Sequence, residues 1–139
     1  MKWLLLLLTA QVLLGAEFVS DVKKHVVLQP TAKLIWEDDE FSSSQKMSFK
    51  MGMAYCEMLN LNGMNQWRLP TVEELSGIVD MRRSPSVYAD FYHTASGCYW
   101  GTIQKPESGV GFIDFSNGMK TTGWGFGQEC HPRCVHSIK

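Results

Sequence analysis

After Leu14 the chain never again runs apolar for the roughly 20 residues that a membrane-spanning helix requires, so no second span is expected. Charge of one sign is also missing. Thirteen Lys/Arg stand against fourteen Asp/Glu, a formal net charge of −1, which leaves no basic excess to track a nucleic-acid backbone. Phosphate loops, histidine metal motifs and a Ser/His/Asp order are absent, so neither catalysis nor a cofactor is expected. There is no Cys-x-x-Cys, which sets thioredoxin-like exchange aside. Internal repeats and long low-complexity linkers are missing too, which excludes solenoids and tandem modules.

What is present begins with MKWLLLLLTAQVLLGA. Lys2 precedes an apolar run from Trp3 to Leu14, broken by Thr9 and Gln11, and the small residues Gly15 and Ala16 follow. That is the form of a signal peptide, with cleavage expected after Ala16. No cysteine follows the small residues, so a lipid anchor is not expected. The product is expected to be exported, either periplasmic or secreted, with no membrane span left after cleavage. Residues 17–139 suffice for one domain with a single core. Charge is uneven within them. Glu17 to Asp80 carries a net −4, and Met81 to Lys139 a net +2 with His93, His131 and His136 in addition, so an anion site is sought in the second half.

Four cysteines, Cys56, Cys98, Cys130 and Cys134, read in an exported chain as two disulfides, with three pairings open. Joining Cys130 to Cys134 would close a small ring and leave the long loops untied. Loop arithmetic favours Cys56 with Cys134 and Cys98 with Cys130. These close loops of about 79 and 33 residues, each worth roughly 3.5 to 4.5 kcal/mol in the chain-entropy model.

HVVLQPTAKLIW, His25 to Trp36, predicts a hairpin turning at Gln29-Pro30-Thr31-Ala32. Glu37 to Glu40 reads as a solvated acidic turn, without the spacing or glycine of a calcium loop. From about Gln45 to Leu61, Met47, Met51, Ala54, Met58 and Leu61 recur at spacings of four, three, four and three, beside a stripe of Phe49, Met53 and Cys56. A helix with a wide buried face is predicted there, its methionines filling the core. Ser42 and Gln45 would form its capping box and Gly63 its left-handed stop.

Further on, NGMNQWRLPTVEELSGIVD predicts a second helix. Thr71 and Glu74 have capping-box spacing, Glu73 and Glu74 suit the positive end of the helix dipole, and Pro70 forces Leu69 to be extended. Leu69, Leu75, Ile78 and Val79 are expected to face inward. Trp67 and Arg68 would be held at the helix entrance, Arg68 bonding to backbone carbonyls or an acidic side chain. Strands are expected over Cys98 to Ile103, Val110 to Phe115, Met119 to Thr122 and Arg133 to Ser137, with Asn117-Gly118 making a hairpin turn.

Several of these marks occur together in one known family. LIWED at Leu34 to Asp38, AYCEMLNLNG at Ala54 to Gly63, WRLPTVEEL at Trp67 to Leu75, Phe91, YWGT at Tyr99 to Thr102, DFSNG at Asp114 to Gly118 and RCV at Arg133 to Val135 make the chain resemble the bacterial Lcl C-terminal domain family. The resemblance implies an α+β, C-type-lectin-like fold: two helices flanking a small, mostly antiparallel sheet in which the chain ends meet. It implies the same disulfide pairing as the loop arithmetic. Trp36, Trp67, Arg68, Pro70, Thr71, Glu74 and Trp100 become scaffold residues, with Trp67 filling the joint between helices and sheet. Family members are exported, and some are adhesin modules that bind glycans, including sulfated ones.

The chain lacks the collagen-like repeats that precede such domains and the Glu-Pro-Asn, Gln-Pro-Asp and Trp-Asn-Asp motifs of calcium-dependent sugar binders. The expected function is therefore a non-catalytic glycan-binding module that uses no metal. Trp124 and Phe126, in a glycine-rich loop, would stack on sugar rings, and Arg82, Arg83, Lys105, Lys120 and His131 would meet anionic groups. The alternative is an envelope or extracellular module that binds a protein and no sugar. A third reading, redox chemistry at Cys130-His131-Pro132-Arg133-Cys134, is weaker because both thiols have structural uses.

Overall fold

The computed structural model describes residues 17–104, 109–123 and 127–139. The expected leader, residues 1–16, lies outside them, as do Lys105, Trp124 and Phe126. Within the described residues the chain is α+β, in the order β1 (Val19–Asp21), β2 (Val26–Gln29), β3 (Leu34–Glu37), α1 (Glu40–Ser44), α2 (Phe49–Met58), β4 (Trp67–Arg68), α3 (Val72–Ser76), β5 (Cys98–Gly101), β6 (Val110–Asp114), β7 (Met119–Gly123) and β8 (Val135–Ser137). No described helix is long and apolar enough to cross a membrane.

The strands form two antiparallel sheets where one was expected, ordered β1-β2-β3-β8-β4 and β5-β6-β7. β8 runs between β3 and β4, with Val135 opposite Trp36 and His136 opposite Trp67, so the first and last strands belong to one sheet. The predicted hairpin joins β2 to β3 through a 3-10 turn at Pro30–Ala32, and Lys33 closes it in the left-handed region.

Strand alternation divides the interior in two. Val27, Trp36, Tyr99 and Val135 enter one apolar cluster, and their neighbours Val26, Trp100 and Cys134 enter another on the opposite side. Each buried indole N–H donates to an oxygen: Trp36 to Gln29 Oε1 at 2.9 Å, Trp67 to the Met64 carbonyl at 2.9 Å and Trp100 to the Met47 carbonyl at 2.7 Å. The second cluster holds the bridges Cys56–Cys134 and Cys98–Cys130.

The WRLP segment docks α3 on the smaller sheet through a notch of glycines. Gly101 and Gly111 are cross-strand partners. A Cβ on either would lie 2.9 Å or 2.5 Å from Val72 Cγ2, so Val72 occupies the space that two side chains would otherwise fill. Thr102 N–H donates to the Pro70 carbonyl at 2.8 Å, and Val72 N–H to the Thr102 carbonyl at 2.9 Å. The Thr71–Glu74 capping box is complete on both sides.

Four local expectations need correction. The helix expected over residues 45–61 spans only Phe49–Met58, and it is preceded by the short α1. The capping residues are Asp39 for α1 and Ser48 for α2; Ser42 and Gln45 form no capping box. The helix also faces the other way: Met51, Ala54 and Met58 are exposed, while Gly52 and Cys56 are buried. The bridge to Cys134 and the close approach of Gly52 to Trp100 turn the Cys56 side inward, overriding the broader methionine stripe. Gly63 does adopt a left-handed conformation, but in the turn that pairs Leu61 with Met64, beyond the helix.

Replacing Gly111 with Ala is expected to force Val72 out of its notch and cost about 1–3 kcal/mol. Urea unfolding of the variant measures this loss; an unchanged midpoint would contradict the notch.

Candidate functional site

The acidic run Glu37 to Glu40, which closes β3 and enters α1, is solvated only at its end: Glu40 is exposed, Asp39 half-buried, and Glu37 and Asp38 are buried. Glu37 is wholly buried, and its Oε1 accepts the Cys134 amide at 3.1 Å while its Oε2 accepts the Tyr55 hydroxyl. Asp38, also buried, accepts the amides of Tyr92 and His93, each at 2.9 Å. Asp39 caps α1 through the Ser42 amide. Glu37 and Asp38 thus meet hydrogen-bond donors brought from far along the chain, which is why acids can lie this deep.

Arg133 answers Asp38 from the strand side. Its Nη2 lies 3.7 Å from Asp38 Oδ1 and donates to the His93 carbonyl and to Thr94 Oγ1, with only 1% of the side chain exposed. Nε and Nη1 find no oxygen among the described residues. The ring faces of Phe91 and Tyr99, 4.9 and 5.2 Å from the guanidinium carbon, serve as π partners instead. Together Asp38 and Arg133 fix the backbone of residues 91–94.

That fixed segment forms one wall of a groove of about 280 Å³ lined by Arg83, Pro85, Val87, Ala89, Phe91, Tyr92 and Thr94. Val87 and Phe91 are its buried apolar members, whereas Tyr92 is 63% exposed and offers its ring to solvent. In the loop that leads to Arg83, Asp80 accepts the Arg82 amide at 3.1 Å and the Arg82 Nε at 3.0 Å. Arg83 Nε donates to the Val87 carbonyl at 3.1 Å, which steadies the guanidinium. Among the described residues no carboxylate lies within 4 Å of it.

A second groove, about 320 Å³, is lined by Met53, Glu57, Arg68, Leu69, Thr71 and Thr102. Its cation is already engaged: Arg68 donates to Glu74 Oε1 at 2.7 Å and Oε2 at 2.9 Å, and also to Ser137 Oγ. Burial alone would raise Glu74, but the Arg68 bond and the Thr71 amide outweigh it and hold the carboxyl below its ordinary value. Glu57 leaves that groove unfavourable for an anion.

The sequence-predicted ligand residues separate accordingly. Arg83 lines the smaller groove, Arg82 flanks it in the same loop, and Lys120 is exposed on β7. Met81 lies against Gly118 at the β6–β7 turn, so the loop and that hairpin are neighbours. His131 is a correction. It is buried, stacked on Tyr99 at 5.0 Å, with Nδ1 3.1 Å from the Ser42 carbonyl. Burial lowers its pKa, so at neutral pH it is uncharged and offers nothing to an anion. Trp124, Phe126 and Lys105 fall outside the described residues. Tyr92 was missed because it lies in a segment without regular secondary structure, where no periodicity marks which side chain faces outward.

Of the family marks, Phe91 lines the smaller groove, with Asp38 and Arg133 behind its wall, whereas Arg68, Leu69 and Thr71 line the larger one. The chain belongs to the Lcl C-terminal domain family, whose model matches residues 25–136. No curated protein and no solved structure matches it.

Glu37 makes the scaffold pH-sensitive. Burial first, and the charge of Asp39 next, push its carboxyl up to about 8, against the Tyr55 and Cys134 hydrogen bonds. A group raised in this way stabilises the fold fully below its unfolded value of 4.5, and that contribution is lost as pH rises through about 8. Stability from urea unfolding is therefore expected to fall across this window, and Glu37→Gln, which cannot ionise, should flatten the fall. Parallel profiles for the two proteins would contradict it.

Proposed function

We propose that the protein is an exported, non-catalytic, C-type-lectin-like module that binds anionic glycans in the groove between Arg83 and Tyr92. One observation carries this reading: an exposed aromatic ring, its backbone held by Asp38, and a guanidinium that has no ion-pair partner among the described residues, held by the Val87 carbonyl, border a single concave surface with an apolar floor. A tyrosine face packs on the apolar side of a sugar ring, and a guanidinium grips a sulfate or carboxylate through paired hydrogen bonds. Thr94, on the same wall, supplies a hydroxyl. The groove is at the small end of ligand sites, which start near about 300 Å³, and suits a short stretch of a chain that continues into solvent. Arg82 and Lys120 would then meet charges further along that chain. Antiparallel sheets tied by the two bridges support the lectin-like class, and membership of the family supports the ligand class.

The test is binding of residues 17–139 to a glycan panel that includes sulfated polysaccharides, with and without Ca²⁺ and at two salt concentrations. Calcium-independent, salt-sensitive binding is expected. Arg83→Ala and Tyr92→Ala should each weaken it at least about tenfold, as loss of a charge-assisted contact or a stacking face does, with little change in stability. A flat panel from folded protein would favour the protein-binding alternative, and binding unaffected by both substitutions would remove the groove from the account.

A further inference from the structure

α2 carries a pattern that its own fold leaves unused. Within the helix Met51, Ala54 and Met58 are spaced by three and four, the step of a heptad seam, and Met47 and Leu61 lie just outside its two ends. The three middle residues face water, with Met51 63% and Met58 84% exposed. Phe41, 48% exposed, stacks on Tyr55 at 5.1 Å and widens the apolar strip along one flank. Lys50 and Glu57, both exposed and seven residues apart, run along the other. At the ends, the Met47 backbone pairs with Cys130 and that of Leu61 with Met64, so these two residues border the strip.

We infer that this face is a contact surface between two copies of the chain, α2 lying antiparallel to α2 of its partner across a two-fold axis near Ala54. The seam supplies the apolar strip, and the small Ala54 at its centre lets the two backbones approach closely. Charge selects the occupant and the direction. Lys50 and Glu57 lie on the same flank, about one turn to either side of Ala54. An antiparallel two-fold therefore sets Lys50 of each copy beside Glu57 of the partner subunit, and both pairs are satisfied at once. A parallel two-fold would instead carry the Lys50–Glu57 flank of the second copy to the opposite side of the seam, where neither charge meets its complement. The face is thus complementary to itself, as an isologous interface requires. This argument stands on α2 alone and does not need the groove, although a dimer would carry two grooves and gain avidity on a repeating polymer.

The test is sedimentation equilibrium of residues 17–139 over a wide concentration series reaching the millimolar range. A reversible rise from monomer to dimer mass is expected. The Met51→Glu/Met58→Glu double variant should remain monomeric with an unchanged thermal midpoint, and Met119→Glu, on the distant β7, should dimerise like wild type. Lys50→Glu turns two symmetric pairs repulsive and should weaken association about tenfold, with Lys50→Glu/Glu57→Lys restoring it. A wild-type monomer at every concentration would overturn the inference, even if the face captured lipid or another protein. Equal loss in Met119→Glu, or failure of the charge exchange to restore association, would overturn it as well.

Discussion

Asp38 and Arg133 meet at 3.7 Å almost wholly out of water, and much of the architecture is arranged around that pair. Sealing two charges in a protein interior is costly, and removing one partner from such a pair typically costs about 3–5 kcal/mol because the other is stranded. The chain meets the cost with neighbours. Asp38 receives two amides, and Arg133 a carbonyl, a hydroxyl and two aromatic faces. Those partners lie on the segment from Phe91 to Thr94 and on β5, so the pair ties the sheet formed by the chain ends to the wall of the groove. The bridge from Cys56 to Cys134, one residue along, anchors α2 to the same place.

Local chemistry was readable where it is written within a few residues. The Thr71–Glu74 box, the Pro30 turn and the Asn117-Gly118 hairpin each depend on side chains and dihedral preferences that need no distant partner. Loop arithmetic and the family resemblance also lead to the bridges that the structure contains. What was misread depends on contacts far along the chain. The acids of LIWED look solvated because Asp and Glu are rarely buried unless paired, and their partners, Cys134 and Arg133, arrive nearly a hundred residues later. His131 looked like a surface cation for the same reason.

The methionine stripe is a different kind of misreading. Its periodicity correctly predicts a helix, yet periodicity counts apolar residues and does not reveal which stripe a fold will bury. A disulfide and a glycine contact on the narrower stripe outweigh the wider one. The wide stripe stays outside, where it is free to serve a partner. Of the candidate site, the cation Arg83 was legible from charge and position, but the groove was not, because the segment from Phe91 to Thr94 that helps line it is held by Asp38, far back in the chain.

The central claim is that the Asp38–Arg133 pair holds the groove wall as part of the folding core. Native-state hydrogen exchange at the amides of Tyr92 and His93, compared with the Glu37 amide that donates to the Cys134 carbonyl at 2.9 Å, tests it most directly. The account predicts that all three exchange only through global unfolding, with the same free energy and the same dependence on denaturant. Exchange at Tyr92 and His93 through a low-energy local opening, while Glu37 stays protected, would show that the wall is a loop resting on the fold and would contradict the claim.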